Sequence, residues 1–181
     1  MQFMESIKPK DHKVTFADKF FFDTNIWLLL YGTIADFQKS DQKAYSSLFS
    51  EILIKKSALY TSSLILSEFA NVLLRKDFKQ WVDKGKLINQ DFKRDFVGTS
   101  QYKKSVSVVT NLINKILALP SLVPISDDFS SIDKKSILKR FETVDFNDSY
   151  ISELVERSKT ILVTNDKDFL KITIASKIIT T

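Results

Sequence analysis

Two hydrophobic patterns alternate along the chain. Short unbroken apolar runs mark strands, and stretches with apolar residues every three or four positions mark helices. Phe20-Phe21-Phe22 forms the first run and stops at Asp23. Such a run predicts a strand at about 19–23 that is buried on both faces, as in a parallel sheet. Ile26-Trp27-Leu28-Leu29-Leu30 continues it as a short helix at about 25–31, with Gly32 as its stop. Ser40 or Asp41 is placed to cap a second helix, where Ala44, Leu48, Ile52 and Leu53 share a face. Ser57 to Thr61 reads as a second strand. Ser62 or Ser63 then caps a helix carrying Leu64, Leu66, Phe69, Val72 and Leu73, with Glu68 in its second turn.

From Asp77 to Ser100 the chain is charged, with Trp81, Leu87, Phe92 and Phe96 spaced along it, which predicts one or two helices forming an arm at about 77–102. A longer helix follows to about residue 118, ahead of Pro120, and Leu122 to Ile125 forms a third strand. Asp127-Asp128 opens a polar stretch with a short helix to about residue 141. The segment 146–157 is helical with Tyr150, Ile151, Leu154 and Val155 facing inward, and Ile161 to Val163 is a strand. Thr164-Asn165-Asp166 lies at that strand's carboxyl end, and Phe169-Leu170 begins a short helix. Ile172 to Ile174 and Ile178-Ile179 are expected as terminal edge strands. Residues 1–18 are polar, contain Pro9 and lack a period, so they read as an N-terminal tail, with His12 a tail residue. Short links between alternating strands and helices predict a single α/β domain over 19–181: a three-layer α/β/α sandwich around a mainly parallel sheet.

Composition narrows the chemistry. With 181 residues, 44% apolar, the chain suits one packed domain. Only three Gly are present, and neither GxGxxG nor GxxxxGK[ST] occurs, so a Gly-rich phosphate loop is excluded. The absence of Cys removes disulfides, thiolate metal sites and thiol nucleophiles, and suits a reducing cytoplasm. A single His leaves imidazole-rich metal sites and most Ser-His-Asp schemes without material. No apolar run is long enough to span a membrane. The net charge of +5 tilts weakly towards polyanionic partners.

Carboxylates must therefore carry any chemistry, and four occupy matching places: Asp23 after a strand, Glu68 on the helix after a strand, Asp148 in a helix's first turn, and Asp166 after a strand. In an open parallel sheet such positions face one cleft at the carboxyl edge. Left bare, the four would raise one another's pKa. A pair of Mg²⁺ or Mn²⁺ ions removes that penalty and can activate water against a phosphodiester. Each residue also has a plainer reading. Asp23 would cap the helix after it, Glu68 would be a solvated helix residue, and Thr164 a helix cap. Asp145 is expected as N-cap of the helix carrying Asp148, with a secondary place in the site, and Asp168 as a surface or capping residue. Lys and Arg between Arg75 and Lys104 would track a nucleic acid backbone with Trp81, Phe92 or Tyr102 as stacking surfaces, or form solvated faces over ordinary core aromatics.

The motifs resemble those of PIN-domain ribonucleases, the fold of the VapC toxins: an apolar strand ending in Asp23-Thr24-Asn25, then Ser67-Glu68-Phe69, then the segment from Asp145 through Asn147-Asp148 to Ile151, then Val163-Thr164-Asn165-Asp166 with Asp168-Phe169. Their order spans roughly 19–175. The Asp77–Tyr102 region and the N-terminal tail exceed the compact toxins. The resemblance implies metal-dependent endonucleolytic cleavage of single-stranded or loop RNA, with Asp23, Glu68, Asp148 and Asp166 as an acidic quartet binding Mg²⁺ or Mn²⁺. It further implies that Thr164, Asn25 and Ser67 support the site by hydrogen bonds, and that an antitoxin covers the cleft and a homodimer forms. Two rivals stand beside it. A haloacid-dehalogenase-type phosphatase needs an Asp where Asn25 stands, and a PIN scaffold would bind RNA or protein without cutting.

Overall fold

The computed structural model describes residues 6–32, 39–127 and 129–181. Asp128, expected to open a polar stretch, and the first five residues, expected as part of the tail, lie outside them. In chain order the elements are β1 (Ser6–Ile7), β2 (Lys19–Phe22), α1 (Thr24–Tyr31), α2 (Lys39–Lys55), β3 (Ala58–Ser62) and α3 (Ser63–Gly85). These are followed by α4 (Ser100–Leu117), β4 (Leu122–Ile125), α5 (Lys134–Phe141), α6 (Phe146–Ser158), β5 (Ile161–Val163) and β6 (Ile178–Ile179). Short 3₁₀ turns occupy Pro9–Asp11 and Lys167–Leu170. The six strands form one sheet in the order β1-β6-β5-β2-β3-β4, with every pairing parallel, inside an α/β/α arrangement.

The central strand β2 explains the fold. Its register pairs Phe21 with Tyr60 of β3 on one side and Leu162 of β5 on the other. Phe20, Phe21 and Phe22 are all 0% exposed, because helices cover both faces of a parallel sheet and, past the exposed Lys19 at its start, the strand has no position left for a polar residue. Trp27, Ile52, Phe69, Ile151 and Phe169 close the core from the helices and the 3₁₀ turn.

Several sequence expectations shift. The sheet begins before Lys19: β1 pairs Ser6 and Ile7 with Ile178 and Ile179. Pro9 and Val14 are buried, and the Ser57 hydroxyl donates to the Thr15 carbonyl at 2.8 Å. His12 packs edge-on to Phe20 and lies 3.3 Å from Asp18. Residues 6–18, read as part of a tail, are thus tied to the sheet and core. β6 lies between β5 and β1 rather than at an edge, and residues 172–174 form no strand, although Ile172 and Ile174 are buried. The 77–102 region is a helical hairpin: α3 runs on to Gly85, a π-helical turn covers Phe92–Phe96, and α4 returns. Phe78, Trp81, Phe92, Phe96 and Tyr102 pack ring against ring inside it, with Phe96 fully buried and the Arg75 guanidinium 5.1 Å from the Phe92 ring. The bend before α4 uses Gly98 at φ 87°, which a side chain rarely tolerates.

α5 is fixed to α6 by charge. Arg140 pairs with Glu153, at 3.2 Å, and with Glu156; Glu153 is 6% exposed and also accepts from the Asp133 backbone N–H. Removing the cation strands a largely buried carboxylate. Arg140→Ala is expected to cost about 3 kcal/mol, read as a lower urea midpoint at unchanged slope. Among the described residues no helix is long and apolar enough to cross a membrane.

Candidate active site

The topology brings the four acids to one edge. β2 lies between β5 and β3, so Asp23 emerges from the centre, Asp166 from the neighbouring strand, and Glu68 from the second turn of α3, which follows β3. Asp148 arrives in the first turn of α6, just before β5.

Asp23 caps a helix at this edge. As N-cap of α1, its Oδ1 accepts the Thr24 N–H at 2.6 Å. Its Oδ2 accepts the Thr164 hydroxyl at 2.8 Å and, more distantly, the Asn25 amide at 3.5 Å. The residue is 3% exposed. Burial pushes its carboxyl up to about 7, and the charges of Glu68 and Asp166 add to the rise while the Thr164 and Thr24 hydrogen bonds oppose it. Asp148 is half-buried and is pushed up to about 8, first by desolvation, then by Asp145, Asp23, Asp166 and Glu68. The side-chain charges that act on these two carboxyls are negative. The five acids therefore share one field, and among the described residues no Lys or Arg relieves either of them.

The remaining groups hold the acids in place. Thr164 ends β5 and is fully buried. Its hydroxyl donates to Asp23 and accepts the Asp166 N–H at 2.9 Å, bridging two members of the quartet. Its carbonyl accepts the Tyr45 hydroxyl from α2 at 2.7 Å. Asp166 caps the following 3₁₀ turn through the Asp168 N–H at 2.8 Å. Asp168 pairs outward with Lys171 at 2.6 Å, in keeping with its reading as a surface residue. Asp145 is the N-cap of α6, as the sequence indicates, with its Oδ1 accepting the Asp148 N–H at 2.9 Å. Ser67 is exposed on α3, and none of the hydrogen bonds around the acids passes through it.

Three contributions escape a sequence reading. The Thr24 hydroxyl donates to Glu68 Oε2 at 2.8 Å, so the residue after Asp23 ties α1 to α3 across the cleft. Tyr45 reaches Thr164 from 119 positions away, with no local signal. Asp127 follows β4 as Asp23 follows β2, a placement the strand pattern could have flagged. Its carboxylate accepts the Ser63 hydroxyl, its Oδ1 is buried without a partner, and its carbonyl accepts the Tyr150 hydroxyl.

The donor set suits a hard divalent cation, since it consists of carboxylate oxygens whose charges lack a compensating cation. Among the described residues no group of three or more acidic or His side chains is arranged to hold a metal ion as it stands, and mutual repulsion favours carboxylates held apart.

Thr164→Val keeps the shape of the bridge but removes its donor and its acceptor. It is expected to cost about 1–3 kcal/mol, and more at pH 8 than at pH 5, because the ionised Asp23 depends on that hydroxyl. Urea unfolding at the two pH values, with Thr164→Ser as the variant that retains the bridge, checks this.

A family model described as PIN domain matches residues 20–175. Among solved structures, FitAcB from Neisseria gonorrhoeae is similar at 16% identity over 88% of this chain and 96% of that chain, with a TM-score of 0.51. VapBC2 from Rickettsia felis, bound to a DNA fragment from their promoter, matches at 18% identity over 89% and 97%, with a TM-score of 0.48. At such identities the likeness bears on the fold alone. No curated protein matches the chain.

Proposed function

The chain belongs to the PIN domain family, and from that premise we propose that it is a metal-dependent endoribonuclease whose acidic quartet is Asp23, Glu68, Asp148 and Asp166. The observation that carries this reading is the shared field of these acids: Asp23 and Asp148 are raised to about 7 and about 8 by burial and by neighbouring carboxylates, with no side-chain cation in opposition among the described residues. A protein keeps so costly a cluster where a cation is meant to enter.

The four acids would hold Mg²⁺ or Mn²⁺. When bound, such an ion activates water and neutralises charge at a phosphodiester. The protein's own part is positional. Thr164 fixes the Asp23 carboxylate and the turn bearing Asp166 together. Thr24 occupies one oxygen of Glu68 and leaves the other for the attacking water. Asp145 fixes the first turn of α6 and so the place of Asp148. In the motif resemblance, a toxin of a toxin–antitoxin pair is the role that fits, with an antitoxin over the cleft and a homodimer as its assembly.

The test is cleavage of a mixed pool of structured RNAs by purified, partner-free protein, with Mg²⁺, with Mn²⁺ and with EDTA. Cutting inside the chains that either cation supports and EDTA stops is the expected result. Cation binding without cleavage of any RNA would overturn the nuclease in favour of a non-cutting scaffold.

A further inference from the structure

Large apolar side chains are exposed in one cluster beside the acids. Phe129 is 61% exposed, Leu138 59%, Phe141 50% and Phe146 42%. Phe141 and Phe146 meet edge to face with centroids 5.7 Å apart. Phe129, Ile137, Leu138 and Phe146 line a small pocket of about 140 Å³ together with Lys134. Aromatic side chains left open together mark a place where something docks.

Two observations identify the occupant. The first is charge. α5 reads KKSILKRF, with three lysines besides the Arg140 already paired to α6 and no acidic residue, and the Lys134 ammonium sits 5.0 Å from the centre of the Phe129 ring. Open rings flanked by lysines suit a single-stranded polyanion with planar bases: the rings stack the bases and the ammonium groups follow the phosphates. The second is place. Phe146 is the first residue of α6, between its cap Asp145 and Asp148, so the patch lies at the end of the helix that carries Asp148, on the side turned away from it.

We propose that Phe129 and Phe146, with Lys134 beside them, form a stacking platform for unpaired nucleotides of the RNA substrate. This rests on the nuclease reading for its substrate. The platform selects single-stranded over duplex RNA, because a base can lie on a ring only when it is free of its partner.

The test is binding of a short fluorescein-labelled single-stranded RNA in EDTA, by anisotropy, so that affinity is read without cleavage. Both rings are exposed, so alanine there leaves the core intact, and circular dichroism checks the fold. Phe129→Ala and Phe146→Ala are each expected to weaken binding roughly 5- to 100-fold, while Phe146→Trp retains it. Lys134→Ala is expected to lower the salt dependence by about one counterion, whereas the Phe variants leave it unchanged. A duplex of the same sequence should bind more weakly and be insensitive to Phe146→Ala. Unchanged affinity in both Phe→Ala variants, or no RNA binding by the wild type, overturns the platform. So does unchanged RNA binding together with a shift from dimer to monomer in sedimentation, which would assign the patch to a second copy of this chain. The two readings fail separately. Phe-dependent binding by a protein that cuts no RNA sinks the nuclease and keeps the platform; cleavage by a protein whose binding ignores Phe129 and Phe146 does the reverse.

Discussion

Asp23→Asn and Asp148→Asn should each lower RNA cleavage roughly 100- to 1,000-fold, the loss that follows removal of one preorganised electrostatic group from a reaction centre. Asparagine nearly keeps the volume of aspartate, and at position 23 it still offers an oxygen to the Thr24 N–H that now reaches Oδ1 at 2.6 Å. The cap of α1 therefore survives, and what disappears is the negative charge. A residue that served only as a cap would show little effect on rate. The effect of Asp148→Asn should be similar, since Asp148 is pushed up to about 8 by burial first and then by the charges of the same acids. Glu51→Gln, an exposed carboxylate of α2, should leave the rate unchanged. Initial rates at saturating Mn²⁺ on one RNA check all three. Full activity in Asp23→Asn would leave that residue a helix cap and remove it from the quartet.

The second large effect concerns stability without metal. A carboxyl that is harder to ionise folded than unfolded holds its proton more tightly in the native state. Its contribution is thus complete below the unfolded pKa of 3.8 and is lost as pH rises to about 7 for Asp23 and about 8 for Asp148. For Asp23 the full loss is about 4 kcal/mol, reached above pH 7. Asp23→Asn has no such charge to bury. At pH 8 in EDTA it should be the more stable protein by about 2 kcal/mol once its weaker hydrogen bond to Thr164 is counted, and the advantage should vanish near pH 4. A divalent cation at about 100 times its Kd should return about 2.7 kcal/mol to the wild type and little to the variant. Thermal melts from pH 4 to 8, with EDTA or Mn²⁺, read both effects. A wild-type melting temperature at pH 8 indifferent to Mn²⁺ and Mg²⁺ would argue that the acids hold no cation.

Both effects arise from residues visible in the sequence, and the reason is geometric. In a parallel sheet every strand ends at the same edge, so an acid that follows an apolar run is already assigned to a cleft. Asp23 and Asp166 follow β2 and β5 in this way. Glu68 and Asp148 needed only the second turn and the first turn of predicted helices. Asp145 was legible as a cap because an aspartate just before a helical pattern has little else to do. Ser67, grouped with the supporting residues by motif alone, lies exposed on α3, where a motif position does not determine a side chain's partners.

The sequence by itself determined the strands β2, β3, β4 and β5, the helices around them, the parallel sheet and the positions of the acids, because burial on both faces and helical periodicity are written in consecutive residues. Only the tertiary structure decided the rest. Ser6 and Ile7 become a strand because Ile178 and Ile179 offer them an edge; two residues carry no pattern of their own. Residues 77–102 become a hairpin because Phe78, Trp81, Phe92, Phe96 and Tyr102 find one another across a turn. Thr24 meets Glu68 and Tyr45 meets Thr164 because separate elements converge on one edge of the sheet. The raised carboxyls of Asp23 and Asp148 belong to this second group, since desolvation and mutual repulsion depend on what folds around a charge.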